Sequence, residues 1–315
     1  MNKTLSILVI TGLALIIGLL PSCGGGGKPN TNYDEAAKCF AADASLAPII
    51  DEELEIFHMK TRRGPLYPLY VSEQEAMEKL LNLDVLLVFT TRRLTPNEET
   101  IIRNKQYNPR CFPLAYDALA LIINKDNPDS IMTVDNFRRI LKGEVTTWKE
   151  LYPDSKLDTI KLAFDNPTSS TVRFCNDSIL RGETMKTTGN IRAVNTNPEV
   201  IDYVEKHKNA IGIVGSIWLN DKRDTTNLVH NRNITVMAVG QTPLLSYKPS
   251  QWDIAYANYP FIRTIYALCT DPRSQGVPRG FANFCWIPEP GQRIFFNAGL
   301  YPARAEYSVR DVVVK

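Results

Sequence analysis

Ser169-Ser170-Thr171 places three hydroxyls in succession, and Thr90-Thr91-Arg92 sets two more beside a cation. A hydroxyl is a rotatable donor and a guanidinium a fixed fork of donors. Together such groups can replace the hydration of a small anion held in a dry cleft. Ser45 and Ser72 each stand where an apolar helical pattern begins. For a lone Ser there, capping is sufficient explanation, since its oxygen accepts an unpaired N–H of the first turn. Three hydroxyls in a row exceed that need, so 169–171 reads as a nest-like anion site, against the plainer reading of a polar surface turn. Glu73 would repel an anion unless it faces away or carries a proton. Of the two neighbouring arginines, Arg92 is favoured for a bidentate contact, and Arg93 reads as a solvated charge.

Other chemistries find little support. His58, His207 and His230 are scattered, and none has metal-ligand spacing to another His or Cys. No Gly-x-Ser-x-Gly elbow, phosphate-binding Walker loop or dinucleotide fingerprint occurs. Asp51-Glu52-Glu53 reads as a charged helix face. No catalytic residue, metal or cofactor is expected.

The elements that must position these groups alternate between apolar runs and capped helices, which argues an α/β fold. Strands are predicted at 85–89, 119–123, 160–164, 211–214, 235–239 and 264–269. Helices are predicted after Ser45, after Ser72, after Thr95-Pro96, after Thr133 with Gly143 as a left-handed stop, after Ser169 or Ser170, from Asn197, and at 280–286 and 291–298. Crossing points at Tyr116-Asp117-Ala118 and Val239-Gly240 divide the chain into a discontinuous lobe (34–115 and 241–315) and a continuous one (116–240). Two connecting strands would make a hinge that closes on a ligand.

The 315 residues suffice for two such cores, and a net charge of +2 without a basic tract argues against nucleic acid. At the N-terminus, Lys3 precedes an apolar run at 5–20, then Pro21, Ser22, Cys23 and four glycines. The run is about 16 residues, shorter than the roughly 20 needed to span a bilayer, so 1–22 reads as a secretory signal peptide. Leu20-Pro21-Ser22-Cys23 resembles a bacterial lipobox, which implies a lipid on Cys23 and a tether at 23–33 holding the protein in the cell envelope. The other five cysteines (Cys39, Cys111, Cys175, Cys269 and Cys285) show no pairing pattern and read mostly as small apolar residues, with a single bridge left open.

The segment 114–151, with Asn124-x-x-Asn127-Pro128 after a strand and Gly143-x-Val145-Thr146-x-Trp148 after a helix, resembles the phosphate-binding proteins of PstS-like ABC importers. Ala42-Asp43-Ala44-Ser45-Leu46, Thr90 to Leu94, Asn166 to Thr171, Ala210 to Val214, Tyr259-Pro260 with Arg263 and Tyr266, and Gly299-Leu300-Tyr301-Pro302 follow in family order. The resemblance spans about residues 38–310. It implies a two-lobed type II periplasmic-binding-protein fold, each lobe a mixed sheet flanked by helices, with no catalysis. It further implies capture of inorganic phosphate, a partner permease and a monomer. The implied ligand residues are Ser45, Leu46, Thr90, Thr91, Arg92, Asn166, Ser169, Ser170 and Thr171. Two departures leave the anion's identity open among phosphate, sulfate, molybdate and organic phosphate. Asp165-Asn166-Pro167 stands where the family carries an Arg, and Thr91-Arg92 where it usually carries an Asp. A surface adhesion or signalling protein on the same fold is the remaining alternative.

Overall fold

The computed structural model describes residues 31–186, 189–219 and 233–304. The expected signal peptide, Cys23 and most of the tether lie outside the described residues. Among the described residues, no helix is long and apolar enough to cross a membrane.

Thirteen strands are described: β1 (Cys39–Asp43), β2 (Tyr67–Val71), β3 (Leu87–Thr90), β4 (Arg110–Asn124), β5 (Ile131–Thr133), β6 (Lys161–Phe164), β7 (Ile191–Ala193), β8 (Ala210–Gly215), β9 (Ile234–Val236), β10 (Ala238–Thr242), β11 (Leu245–Tyr247), β12 (Ile262–Cys269) and β13 (Tyr301–Pro302). The main sheet runs β2-β1-β3-β12-β4-β8-β6-β7, with β9 and β13 also on β4, and β11-β10-β5 form a second sheet. Its inner strands are apolar without alternation, as burial on both faces requires; β3 and β8 are buried throughout.

The helices are α1 (Thr31–Ala36), α2 (Ala47–Lys60), α3 (Glu73–Asn82), α4 (Pro96–Asn104), α5 (Val134–Leu141), α6 (Ser170–Phe174), α7 (Asn197–Lys206), α8 (Gln251–Ala255), α9 (Val277–Trp286) and α10 (Arg293–Asn297). Their starts follow the chain's cap chemistry. Ser72, Thr95, Thr133, Thr196 and Ser250 each accept an N–H of the first turn. After α5 the chain turns at Gly143 with φ of 68°, the left-handed stop expected there.

Two lobes form around separate cores. Phe40, Leu46, Ile49, Phe57, Phe89, Phe281 and Phe295 fill the first, extended by Met77, Leu80, Val88 and Ile102. Phe137, Trp148, Ile160, Phe174 and Ile213 fill the second, extended by Ile122, Val200 and Val214. β4 passes between them: Leu114 and Ala115 bury in the first, Ala118 and Leu119 in the second. β12 does the same, with Ile262 against the second core and Ile265 and Ala267 in the first. Ile254, Tyr259 and Phe261 bury with Phe137, so the chain past Gly240 still builds the second core. Ile217 buries in the first core, and Trp218 packs against it. The five described cysteines are unbridged; Cys175, Cys269 and Cys285 are buried, and Cys111 is exposed.

Candidate functional site

Where β4 and β12 change lobes they are antiparallel partners, and Arg263 lies opposite Asp117 in the ladder. Side chains directly opposed share one face of the sheet, so a cation and an acid here must meet. Arg263 Nε and Nη2 donate to Asp117 Oδ2 at 2.9 and 2.7 Å, and both side chains are buried. Ser216 Oγ donates to the other Asp117 oxygen at 2.6 Å. Gly215 makes room for this arrangement, because a Cβ there would stand 2.8 Å from Arg263 Nη2.

The far edge of the guanidinium reaches hydroxyls from both lobes. Nη1 donates to Ser170 Oγ at 2.8 Å and Nη2 to Ser45 Oγ at 3.1 Å, while the two hydroxyls stand 3.2 Å apart. Ser45 does not cap α2. Asp43 caps the short helical turn Ala44–Leu46 just before it, accepting Ser45 N–H at 2.9 Å, and α2 starts after Leu46 without a side-chain cap, so the Ser45 hydroxyl is left to meet Arg263 and Ser170. Trp218 Nε1 fixes the same turn by donating to the Ser45 carbonyl at 2.8 Å. Asp43 also accepts Ser170 N–H at 3.1 Å and Ser170 Oγ–H at 3.0 Å.

A second junction lies beside this one. Glu73, at the start of α3, accepts from Thr90 Oγ1 at 2.7 Å, from Thr91 N at 2.8 Å and from Thr91 Oγ1 at 2.9 Å. It also pairs with Arg173 of α6, whose Nη2 donates to Thr91 Oγ1 at 2.8 Å. Burial opposes the charge on Glu73, but the Arg173 guanidinium and the donated hydrogen bonds outweigh it and hold the carboxyl below its ordinary value. Glu73 is therefore an ionised buried acid serving its own partners.

Asp43 and Asp165 behave oppositely. Burial, then the nearby Glu73 charge, raises the Asp43 carboxyl, with Arg263 opposing. Burial, then the Asp43 charge, pushes Asp165 up to about 6. Asn197 Nδ2 donates to Asp165 Oδ2 at 3.4 Å. Among the described residues, Asp165 Oδ1, Thr171 Oγ1 and Asn197 Oδ1 are buried with no hydrogen-bond partner.

The predicted site residues separate accordingly. Ser45 and Ser170 meet on Arg263, and Thr171 offers a buried hydroxyl without a partner. Ser169 caps α6, accepting Val172 N–H at 3.3 Å, and Asn166 shapes the loop by accepting Thr168 N–H at 3.1 Å. Leu46 is buried in the first core. Thr90 and Thr91 are engaged by Glu73. Arg92 points elsewhere: its fork grips Glu98 at 2.7 and 2.8 Å and completes the α4 cap. The cation that reaches the hydroxyls is Arg263, which sequence reasoning placed in a family-like strand without giving it a role. Asp43, Asp117 and Ser216 were missed too. An arginine and an aspartate in apolar strands, far apart in sequence, were the available signal.

Comparison with known proteins agrees with this architecture. The phosphate-binding protein PstS of Staphylococcus saprophyticus is 22% identical over 275 residues, covering 87% of this chain and 81% of that protein. A Clostridium perfringens structure with bound phosphate, described as a phosphate ABC transporter substrate-binding protein, superposes with a TM-score of 0.69 at 18% identity, covering 84% of this chain and 99% of that one. An ABC-type phosphate transport receptor from Vibrio cholerae gives a TM-score of 0.64 at 19% identity, over 84% of this chain and 98% of that one. The family model for the PBP superfamily domain matches residues 37–286, and the chain belongs to that superfamily.

Proposed function

We propose that this chain is an extracytoplasmic solute-binding protein that captures inorganic phosphate between its lobes and delivers it to an ABC permease. The observation that carries the reading is the buried meeting of Ser45 and Ser170, one from each lobe, on the Arg263 guanidinium. Two hydroxyls and a desolvated cation are the donors a tetrahedral oxyanion needs in place of water. The relatives and structural neighbours that bind phosphate support the choice of anion. The lobes divide where β4 and β12 cross, near Asp117 and Arg263, so the second lobe extends to about residue 261 and the hinge strands themselves carry the anion's cation. The protein acts as a monomer without catalysis, held to the envelope by a lipid on Cys23.

Isothermal titration tests the reading. Sub-micromolar phosphate binding is expected, with sulfate and molybdate far weaker, and Ser45→Ala should weaken phosphate binding about tenfold or more. Absence of binding for all three anions sinks it in favour of a non-transport role. Incorporation of labelled palmitate, abolished by Cys23→Ser, tests the anchor separately.

A further inference from the structure

Asp43 presents a carboxylate to the very donors an incoming anion would use. It is 1% exposed. Its Oδ2 accepts the Ser170 N–H and its Oδ1 the Ser170 hydroxyl and the Ser45 N–H. The charged groups facing it come from every neighbouring element: Glu73 from α3, Arg263 from β12, and Asp165 from the end of β6. Beyond them, Asp117 of β4 pairs with Arg263 and Arg173 of α6 with Glu73. This junction thus gathers four acids around two guanidiniums, an unfavourable balance for a second anion.

We propose that Asp43 is a built-in competitor anion that sets the affinity of the cleft: a ligand gains Ser170 only by displacing the Asp43 carboxylate. The proposal rests on the reading of the cleft as an oxyanion site. It explains why three successive hydroxyls at 169–171 accompany an acid at 43, since an anion site with an internal acid has its affinity lowered by design of the same donors. It also gives binding a pH dependence. The Asp43 carboxyl is raised by burial and by Glu73, so lowering the pH neutralises it while it still lies in the cleft, and the competition fades.

The test is phosphate titration of the full mature chain and of Asp43→Asn, across pH. Asn keeps the acceptor for Ser45 N–H and nearly the same volume but lacks the charge. The loss of one charge-assisted competitor should tighten phosphate binding about tenfold near pH 8. The ratio between variant and wild type should shrink as the pH is lowered and the Asp43 carboxyl takes up its proton. Asp43→Ala should tighten binding as well, which guards against an effect peculiar to Asn, and thermal melts of both variants confirm that they fold. Wild type binding phosphate as tightly as Asp43→Asn, or more tightly, overturns the competition while leaving the site intact; Asp43 then contacts the ligand favourably. No heat from either protein at millimolar phosphate overturns the reading of the site, and the competition with it.

Discussion

Arg263 and Asp117 are ladder partners on the two strands that pass between the lobes, and their side chains lock 2.7 Å apart in full burial. The pair thus does two jobs. It ties β12 to β4 where both change cores, and it aims the outer face of the guanidinium at Ser45 and Ser170. A buried ion pair with one partner removed leaves an uncompensated charge, which costs about 3–5 kcal/mol. Arg263→Met should therefore lower stability in urea by that amount and abolish phosphate binding. Arg263→Met with Asp117→Asn should recover much of the stability, because the orphaned charge is gone, and recover no binding. If the double variant binds phosphate like wild type, Arg263 has no part in the site.

The Glu73–Arg173 pair joins α3 of the first lobe to α6 of the second. Glu73 has a depressed folded-state carboxyl, so its stabilising contribution is present above the unfolded value near 4.5 and is lost as pH falls through the lower folded value. Glu73→Gln should melt below wild type at neutral pH and match it in acid. Arg173→Ala leaves the buried Glu73 charge unpaired and should be the more damaging change, by about 3 kcal/mol or more. Because the pair links the two lobes, Arg173→Ala should also speed phosphate release in stopped-flow dissociation. A variant with unchanged release would mean that the pair stabilises the fold and leaves closure alone.

Much of the architecture was legible because its signals are local. Thr95-Pro96-Asn97-Glu98 forms its capping box, Thr133 caps α5, the apolar run at 85–89 is buried and passes into β3, and that at 119–123 is buried within β4. The site was half legible for the opposite reason. Ser170 and Ser45 could be singled out by their neighbours in sequence, but which cation meets them depends on strand register. Arg92 was favoured because it adjoins Thr91; Glu98, six residues on, captures it instead. Arg263 is 93 residues from Ser170 and reaches it only through the pairing of β12 with β4. The role of Asp43 as cap was hidden because Ser45, an equally good capping residue, stands nearer the long apolar helical pattern.

Asp165 gives a second pH signature. Its carboxyl is pushed up to about 6, first by burial and then by Asp43. An acid raised on folding is protonated in the folded state while already ionised in the unfolded chain. Stability therefore falls as pH rises from the unfolded value near 3.9 to about 6, on the order of 2–3 kcal/mol in all, and is flat beyond. Asp165→Asn should remove this slope, so its melting temperature should gain on wild type between about pH 4 and 6 and hold that gain above. In an Asp43→Asn background the same slope should end at lower pH, since the charge that helps raise Asp165 is gone. A slope untouched by either change would place its origin elsewhere.

Glu53 should behave as a stability defect that has nothing to do with the cleft. Its helical neighbours Asp51 and Glu52 suggest a charged face, yet Glu53 is fully buried, turned toward Cys285 and the aromatic core that holds Phe57, Phe281 and Phe284. Burial raises its carboxyl well above the ordinary value, so between the unfolded and folded values folding takes up a proton. Each pH unit above the unfolded value near 4.5 then removes about 1.4 kcal/mol until the folded group itself ionises. Glu53→Met, of similar length and without the acid, should raise the urea midpoint, by an amount that grows as the pH rises above the unfolded value. Phosphate affinity should stay as it was, because Glu53 is not among the hydrogen-bond partners of Ser45, Ser170 or Arg263. A Met variant less stable than wild type at every pH would mean that the carboxyl is well satisfied where it lies, and that the aromatic core around Cys285 was built to hold it.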